Sequence, residues 1–169
     1  MKLELRNVKI HDDMSEETTC FSARLYINGK FAAICKNSGM GEETRITFMT
    51  DEAQTELFDY CRKNPVIHYF ENKSSFTYKN PEARIDELLM EHISRKELIR
   101  LQKTHLCLHK IASNDPKYLI DATLKMNTPI SELMSTEIGR AILKKDIRRA
   151  QAGGYEVMNE NIDFNLLDI

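Results

Sequence analysis

The sequence has no hydrophobic run that approaches the roughly 20 residues needed to cross a bilayer. It also has little charge imbalance, because 24 Lys and Arg residues stand against 26 Asp and Glu residues, with a formal net charge of −2. Bulk attraction to nucleic acid or to a membrane surface is therefore not indicated. The first residues alternate polar and apolar side chains, whereas a secretory signal needs a continuous apolar segment. We expect a cytoplasmic protein without membrane contact.

The four cysteines contain no C-x-x-C pair, so neither a zinc knuckle nor a redox dithiol is indicated. They are Cys20, Cys35, Cys61 and Cys107. In a reducing compartment such cysteines are usually buried as small apolar side chains. We therefore predict four buried thiols.

Patterns that carry catalysis or bind cofactors are also missing. Residues 37–41 include two glycines but no Lys, and they precede a predicted strand, so they do not form a phosphate-binding loop. His105 and His109 are the candidate metal ligands, since they would lie one turn apart on a helix. No third ligand lies close to them in sequence, and Cys107 would point about 200° away on that helix. We expect no metal site and no cofactor, and an enzyme is the least favoured of the functions considered.

Strand patterns dominate the first fifty residues. Residues 3–10 alternate imperfectly, which predicts a strand with a bulge or turn near Asn7. Residues 20–27 alternate cleanly, and the following Asn28-Gly29 is typical of a two-residue hairpin turn. Residues 31–35 are predicted to return along this strand, and residues 45–49 to add another. Thr50 is predicted to cap a helix that ends at residues 64–65.

The second half has mainly helical patterns. Pro81 is predicted to open a long helix that either breaks near Ser94 or continues to about residue 111. Residues 114–116 are expected to turn and residues 118–124 to form a strand. A short helix is predicted from residues 128–129, and a last one over residues 136–151 that ends at Gly153-Gly154.

These elements predict one α+β domain over residues 1–169. An N-terminal antiparallel β-meander or hairpin sheet is packed by a helix. A mainly helical C-terminal half with one further strand follows it.

Charge is distributed unevenly along the chain. Residues 91–152 carry 12 basic and 7 acidic residues, whereas residues 153–169 carry four acidic residues and no basic one. The basic residues fall on two predicted helices, 95–110 and 140–149. They are Arg95, Lys96, Arg100, Lys103, Arg140, Lys144, Lys145, Arg148 and Arg149. These helix faces either contact phosphates or an acidic protein surface, or are merely solvated. No aromatic residues lie among these charges, so they form no stacking platform.

Two segments resemble a group of short uncharacterised proteins found in tailed bacteriophages, prophages and bacterial mobile elements. Residues 14–30 resemble the opening of these proteins, and residues 138–141 and 152–162 resemble their closing segment. The helical pattern over residues 86–101 is similar in placement. The resemblance implies a common fold and an accessory role in a bacterial host cell, but it carries over no functional residues.

The leading functional hypothesis is a non-enzymatic phage or mobile-element accessory protein that binds and modulates a host or defence protein. Its candidate contact surfaces are the basic helices and the polar loop 37–43. The first alternative is a nucleic-acid-binding module that uses helices 95–110 and 140–149. The second is a small structural component of the virion. The oligomeric state is not indicated by any pattern.

Overall fold

The computed structural model describes residues 1–69, 75–111 and 119–169, with residues 68 and 69 described by their backbone alone. The predicted α+β class is confirmed. The chain divides into two compact units, residues 1–92 and residues 93–169, and the boundary falls within one helix. That the whole chain acts as a single domain stays a prediction. In the described part, no helix is long and apolar enough to cross a membrane.

Among its described residues, the first unit contains six strands, one complete α-helix and the beginning of a second. The elements are β1 (Leu3–Ile10), β2 (Phe21–Ile27), β3 (Lys30–Asn37), β4 (Arg45–Phe48), α1 (Asp51–Lys63), β5 (Val66–Tyr69), β6 (Ser75–Tyr78) and the start of α2 (Pro81–Leu101). Strands β1 to β4 form an antiparallel sheet in chain order, and β5 pairs with β6 in a separate hairpin. The N-terminal meander predicted from the sequence is therefore confirmed.

Local sequence chemistry explains how this unit is built. Asn28 and Gly29 have φ angles of 49° and 83°, the left-handed values that a tight turn between β2 and β3 requires. Thr50 Oγ1 accepts a hydrogen bond from the Ala53 amide at 3.2 Å and so caps α1. The inner face of the sheet buries Leu25 and Cys35 completely, and α1 packs against β3 and β4.

The second unit contains the end of α2 and a small sheet with two further helices. Its elements are β7 (His105–Lys110), β8 (Ala122–Lys125), α3 (Ile130–Ser135), α4 (Glu137–Ala152) and β9 (Tyr155–Val157). The strand order is β8-β7-β9, with all pairs antiparallel. Its core is formed by side chains from the strands, the helices and the C-terminal residues. They include Leu106, Ile130, Leu143, Ile147 and Leu167.

Several predictions for the second half need correction. The helix predicted over residues 95–110 ends at Leu101, and residues 105–110 form strand β7 instead. The helix does not break at Ser94. Among its described residues, the second unit has three strands where one was predicted. The strand predicted over residues 118–124 is found only from Ala122, because β8 covers Ala122–Lys125 and residues 119–121 are not in a strand. The turn predicted at residues 114–116 lies outside the described residues, as does Tyr118.

Candidate functional site

The outer face of the β1–β4 sheet carries an ordered set of basic side chains. Cross-strand pairing aligns its residues in three rows. The rows are Glu4, Tyr26 and Phe31; then Arg6, Arg24, Ile34 and Thr47; then Lys9, Ser22, Lys36 and Arg45. We call this surface the cationic face, because Arg6, Lys9, Arg24, Lys36 and Arg45 are all exposed on it.

Two irregularities in strand pairing create the composition of this face. In β1 the register shifts between Arg6 and Lys9, and Asn7 between them has a φ of 54°. In β3 Ala32 is left out of the pairing, since Leu25 pairs with Ala33 and Tyr26 pairs with Phe31. Each extra residue reverses the alternation of its strand, because neighbouring strand side chains point to opposite faces. Lys9 and Phe31 thereby join the outer face instead of the buried one.

Several cations of this face lie directly opposite one another on neighbouring strands. Arg6 is directly opposite Arg24, and Lys36 is directly opposite Arg45. Like charges in such cross-strand positions destabilise a sheet. Within the part of the chain that the structure describes, Lys9, Arg24, Lys36 and Arg45 form no ion pair with a carboxylate. The arrangement therefore presents unneutralised positive charge to solvent.

Glu4 is the one carboxylate in the three rows, and it lies on β1 in the row nearest the β2–β3 turn. Its carboxylate contacts Lys2 Nζ at 2.5 Å and Arg6 Nη2 at 2.5 Å. The hydrogen bonds from Lys2 and Arg6 hold the pKa of the Glu4 carboxyl below its usual range. Because Lys2 and Arg6 share this single charge, Glu4 offsets only part of the positive charge at that end.

Two aromatic rings lie at the same end, beside the hairpin turn. The ring centroids of Tyr26 and Phe31 are 5.7 Å apart, with an interplanar angle of 42°. Arg6 Cζ lies 4.2 Å from the centroid of Tyr26, and Arg24 Cζ lies 5.6 Å from the centroid of Phe31. Phe31 remains 39% exposed in spite of these neighbours. The face thus combines flat π-systems with positive charge.

The basic residues predicted on α4 are spread around that helix. Gly139, Leu143 and Ile147 define its buried side. Arg140 Nη1 donates a hydrogen bond to the Met134 carbonyl at 3.0 Å, and Lys144 Nζ lies 3.8 Å from Asp168 Oδ2. Lys145 and Arg148 are exposed to solvent, while Arg149 lines a groove together with Ile142. Arg140 and Lys144 are therefore engaged in contacts within the second unit.

Of the basic residues predicted on helix 95–110, some are paired with carboxylates and others are exposed. Arg95 pairs with Glu160 at 3.2 Å, and Arg100 Nε donates to Glu97 Oε2 at 2.9 Å. The hydrogen bond to Glu97 raises the pKa of the Arg100 guanidinium. Lys96 and Lys103 are exposed, but Lys103 follows the last residue of α2. These residues do not form one continuous helical face.

His105 and His109 do not form the predicted helical pair. Both lie on β7, where four residues span about 13 Å, so the two rings cannot share a metal ion. His105 Nδ1 lies 3.0 Å from Thr104 Oγ1, and the buried His109 Nδ1 lies 2.9 Å from Asp121 Oδ2. Cys107 lies between them on the same strand face, instead of pointing away as a helix would require. No group of three potential ligands was found within residues 1–69, 75–111 and 119–169.

The polar loop 37–43, which was predicted as a contact surface, is hydrogen-bonded to residues 16–18 of the preceding loop. The carbonyl of Gly39 accepts amide hydrogen bonds from Glu16, Glu17 and Thr18. Asn37 Oδ1 accepts from Thr18 Oγ1 at 2.9 Å and from the Gly39 amide at 2.8 Å. These bonds give the loop a defined structure, while Ser38, Glu42 and Glu43 remain exposed.

The chain matches no protein-family model, no curated protein and no solved structure. Functional inference therefore rests on the chemistry of the surface itself. The cationic face was missed by sequence analysis, because its members come from four strands and two bulges change their orientation. The clean alternation of Ser22, Arg24 and Tyr26 in β2 was the one signal that could have indicated it.

Proposed function

We propose that this protein binds nucleic acid through the cationic face of its N-terminal sheet. The observation that carries the proposal is the two cross-strand pairs of like charge, Arg6 opposite Arg24 and Lys36 opposite Arg45. Such pairs oppose sheet formation. A polyanionic ligand would neutralise them, because its phosphates bind positive side chains and release condensed counterions.

The distribution of charge over the first half of the chain supports this proposal. Residues 1–90 contain 12 basic and 15 acidic residues, so this half has no net positive charge. Nevertheless, five of those basic residues and only one of those acidic residues lie in the three rows of the cationic face. The concentration on one side makes a local field that the net charge of the chain conceals.

A matched pair of charge reversals tests the proposal. The double variant Lys36→Glu with Arg45→Glu removes two neighbouring cations from the face. The control is Arg62→Glu with Lys63→Glu, which makes the same change in net charge on exposed positions of α1. Binding of a labelled 12-nucleotide strand is measured by fluorescence anisotropy at several salt concentrations, and circular dichroism checks folding.

We expect the face variant to weaken binding strongly and the α1 variant to have a small effect. The slope of log K against log salt concentration should become shallower by about 0.7 for each lost phosphate contact. Equal effects of the two variants, or a salt-independent affinity, would count against the proposal. If replacing Lys144, Lys145, Arg148 and Arg149 by Glu abolishes binding while the face variant does not, the site is on α4 instead.

A protein partner is the second candidate function, and one feature of the second unit favours it. A groove of about 370 Å³ is lined partly by the apolar side chains of Leu124, Leu133 and Ile142. Ile142 is 45% exposed, and Ile138, one turn before it, is 77% exposed. Such exposed apolar residues are typical of protein contact sites when they form a patch.

The two candidates are separated by passing bacterial lysate over the immobilised protein before and after nuclease treatment. A protein that remains bound after nuclease treatment, and is lost with Ile138→Glu, supports the second candidate. We further propose, from the resemblance of residues 14–30 and 152–162, that the protein acts as a phage or mobile-element accessory protein in a bacterial host. Its presence in purified particles would instead favour a structural role in the virion.

A further inference from the structure

The end of the cationic face near the β2–β3 turn holds four flat side chains in one cluster. Tyr26 and Phe31 lie next to each other, with 5.7 Å between their centroids. The guanidinium groups of Arg6 and Arg24 lie over the Tyr26 and Phe31 rings respectively. Aromatic rings and guanidinium planes are the groups on which proteins stack unpaired bases.

The position of Phe31 is unfavourable for stability alone. The bulge at Ala32 moves this side chain from the buried face to the outer face, where it is 39% exposed. A Phe that packs in a core removes a large apolar area from water. Placing it among cations on an open surface is instead suited to a ligand that has both flat apolar faces and negative charge.

We infer that the ligand of the cationic face is a single-stranded nucleic acid, with one or two bases stacked on the cluster of Tyr26, Phe31, Arg6 and Arg24. This inference rests on the proposed function. In a duplex the faces of the bases are covered by neighbouring bases, whereas a single strand can present them to aromatic rings. The charge of the face alone attracts both forms of nucleic acid, and the cluster is what distinguishes them.

The spacing of the rows fits a short stretch of single strand. On β2, which has no extra residue, successive rows are two residues or about 7 Å apart, so the aromatic row and the Lys36 row are about 14 Å apart. A base on Phe31 therefore leaves room for the adjoining backbone to cross Arg24 and reach Lys36 and Arg45. The stacking groups and the phosphate-binding groups lie at opposite ends of one continuous surface.

The decisive variant removes the rings and keeps the charges. Phe31→Leu with Tyr26→Leu retains apolar side chains and leaves Lys9, Lys36 and Arg45 in place. The full chain is titrated by fluorescence anisotropy against a 12-nucleotide oligothymidylate, a 12-nucleotide oligouridylate and a 12-base-pair DNA duplex. Phe31→Trp serves as the conservative variant, because it keeps an aromatic ring at this position.

We expect the single strands to bind at least about ten-fold more tightly than the duplex. The double Leu variant should weaken single-strand binding by about ten-fold or more, with little change in the salt dependence, because the phosphate contacts remain. Phe31→Trp should retain the affinity. A preference between oligothymidylate and oligouridylate then tells whether the ligand is DNA or RNA.

The results that would refute this inference differ from those that would refute the proposed function. If duplex and single strand bind equally and the Leu variant binds like the native protein, stacking is refuted while nucleic-acid binding stands. If neither form binds, or if Lys36→Glu with Arg45→Glu has no effect, the proposed function itself is refuted. If the double Leu variant loses affinity together with a changed circular-dichroism spectrum, the native protein decides the outcome, because equal affinities for single strand and duplex would refute stacking.

Discussion

Asn159 provides a quantitative test of how the C-terminal segment is held in the second unit. Its side chain is 3% exposed, and both the oxygen and the nitrogen of its side-chain amide form hydrogen bonds with the backbone of β7. Oδ1 accepts from the Cys107 amide at 2.7 Å, and Nδ2 donates to the His105 carbonyl at 2.9 Å. Replacing Asn159 by Ala removes both bonds, together with longer ones from Nδ2 to the Gln102 carbonyl at 3.4 Å and to Asn161 Oδ1 at 3.2 Å, and supplies no substitute for the β7 backbone groups.

The magnitude follows from the groups that lose their partner. Cys107 is completely buried, so water cannot replace the lost bond to its amide without local opening. A buried polar group without a partner costs about 1–3 kcal/mol. With two backbone groups affected, we expect Asn159→Ala to lower the free energy of unfolding by about 2–4 kcal/mol.

Urea unfolding of the full chain, followed by far-ultraviolet circular dichroism, measures this loss. Asn161→Ala is the matched control, because Asn161 Nδ2 also donates to a backbone carbonyl, that of Gln102 at 2.8 Å, but is exposed. Amide hydrogen exchange at Cys107 gives a local readout and should become faster in Asn159→Ala only. Equal losses in the two variants, with unchanged exchange at Cys107, would refute the assignment of Asn159 as the buried anchor.

Two further predictions concern packing and pH. A Cβ added at Gly139 would lie 2.2 Å from the Leu133 carbonyl oxygen, so Gly139→Ala should cost about 1–3 kcal/mol by urea unfolding. Gly153→Ala, whose nearest contact would be 3.2 Å, should cost less. Burial raises the pKa of the Cys35 thiol to about 12 and that of Cys107 to about 11, so the folded state keeps protons that the unfolded chain releases near pH 9. The free energy of unfolding should therefore be unaffected by these thiols below pH 9 and fall above it by up to about 1.4 kcal/mol per pH unit for each thiol. The fall should be less steep in Cys35→Ala. A urea midpoint that is constant from pH 8 to pH 10 would contradict this.

Features that depend on neighbouring residues were predictable from the sequence. The β2–β3 turn follows from Asn28-Gly29, because this pair adopts left-handed backbone angles readily. The beginning of α1 follows from the side chain of Thr50, and α4 ends next to Gly153 as predicted. The prediction of four buried cysteines was also confirmed. In each case the decisive chemistry lies within a few residues along the chain.

The mistaken helix over residues 95–110 has a different origin. In residues 105–110, alternating and consecutive apolar residues fit both a strand and a buried helical turn, so periodicity does not separate them. The pairing of β7 with β8 and with β9 decides the outcome. Strand β9 begins at Tyr155, where no pattern indicated a strand, and three residues are too few to establish a period. Contacts between distant segments were therefore necessary to define this sheet.

The candidate site was hidden from the sequence for a more specific reason. A strict alternation applied to β1 would assign Lys9 to the face of Leu3 and Leu5, and applied to β3 would assign Phe31 to the face of Ala33. Each assignment looks plausible alone, because Phe31 suits a core and Lys9 occurs near the end of its strand. Two single-residue bulges reverse both assignments and bring a cation and an aromatic ring to the same surface. The β3 bulge also places Ala32, which is 2% exposed, on the buried side, whereas Lys9 and Phe31 stay exposed. A cation and an aromatic ring that are exposed together on one surface are the two groups that the proposed single strand of nucleic acid would contact.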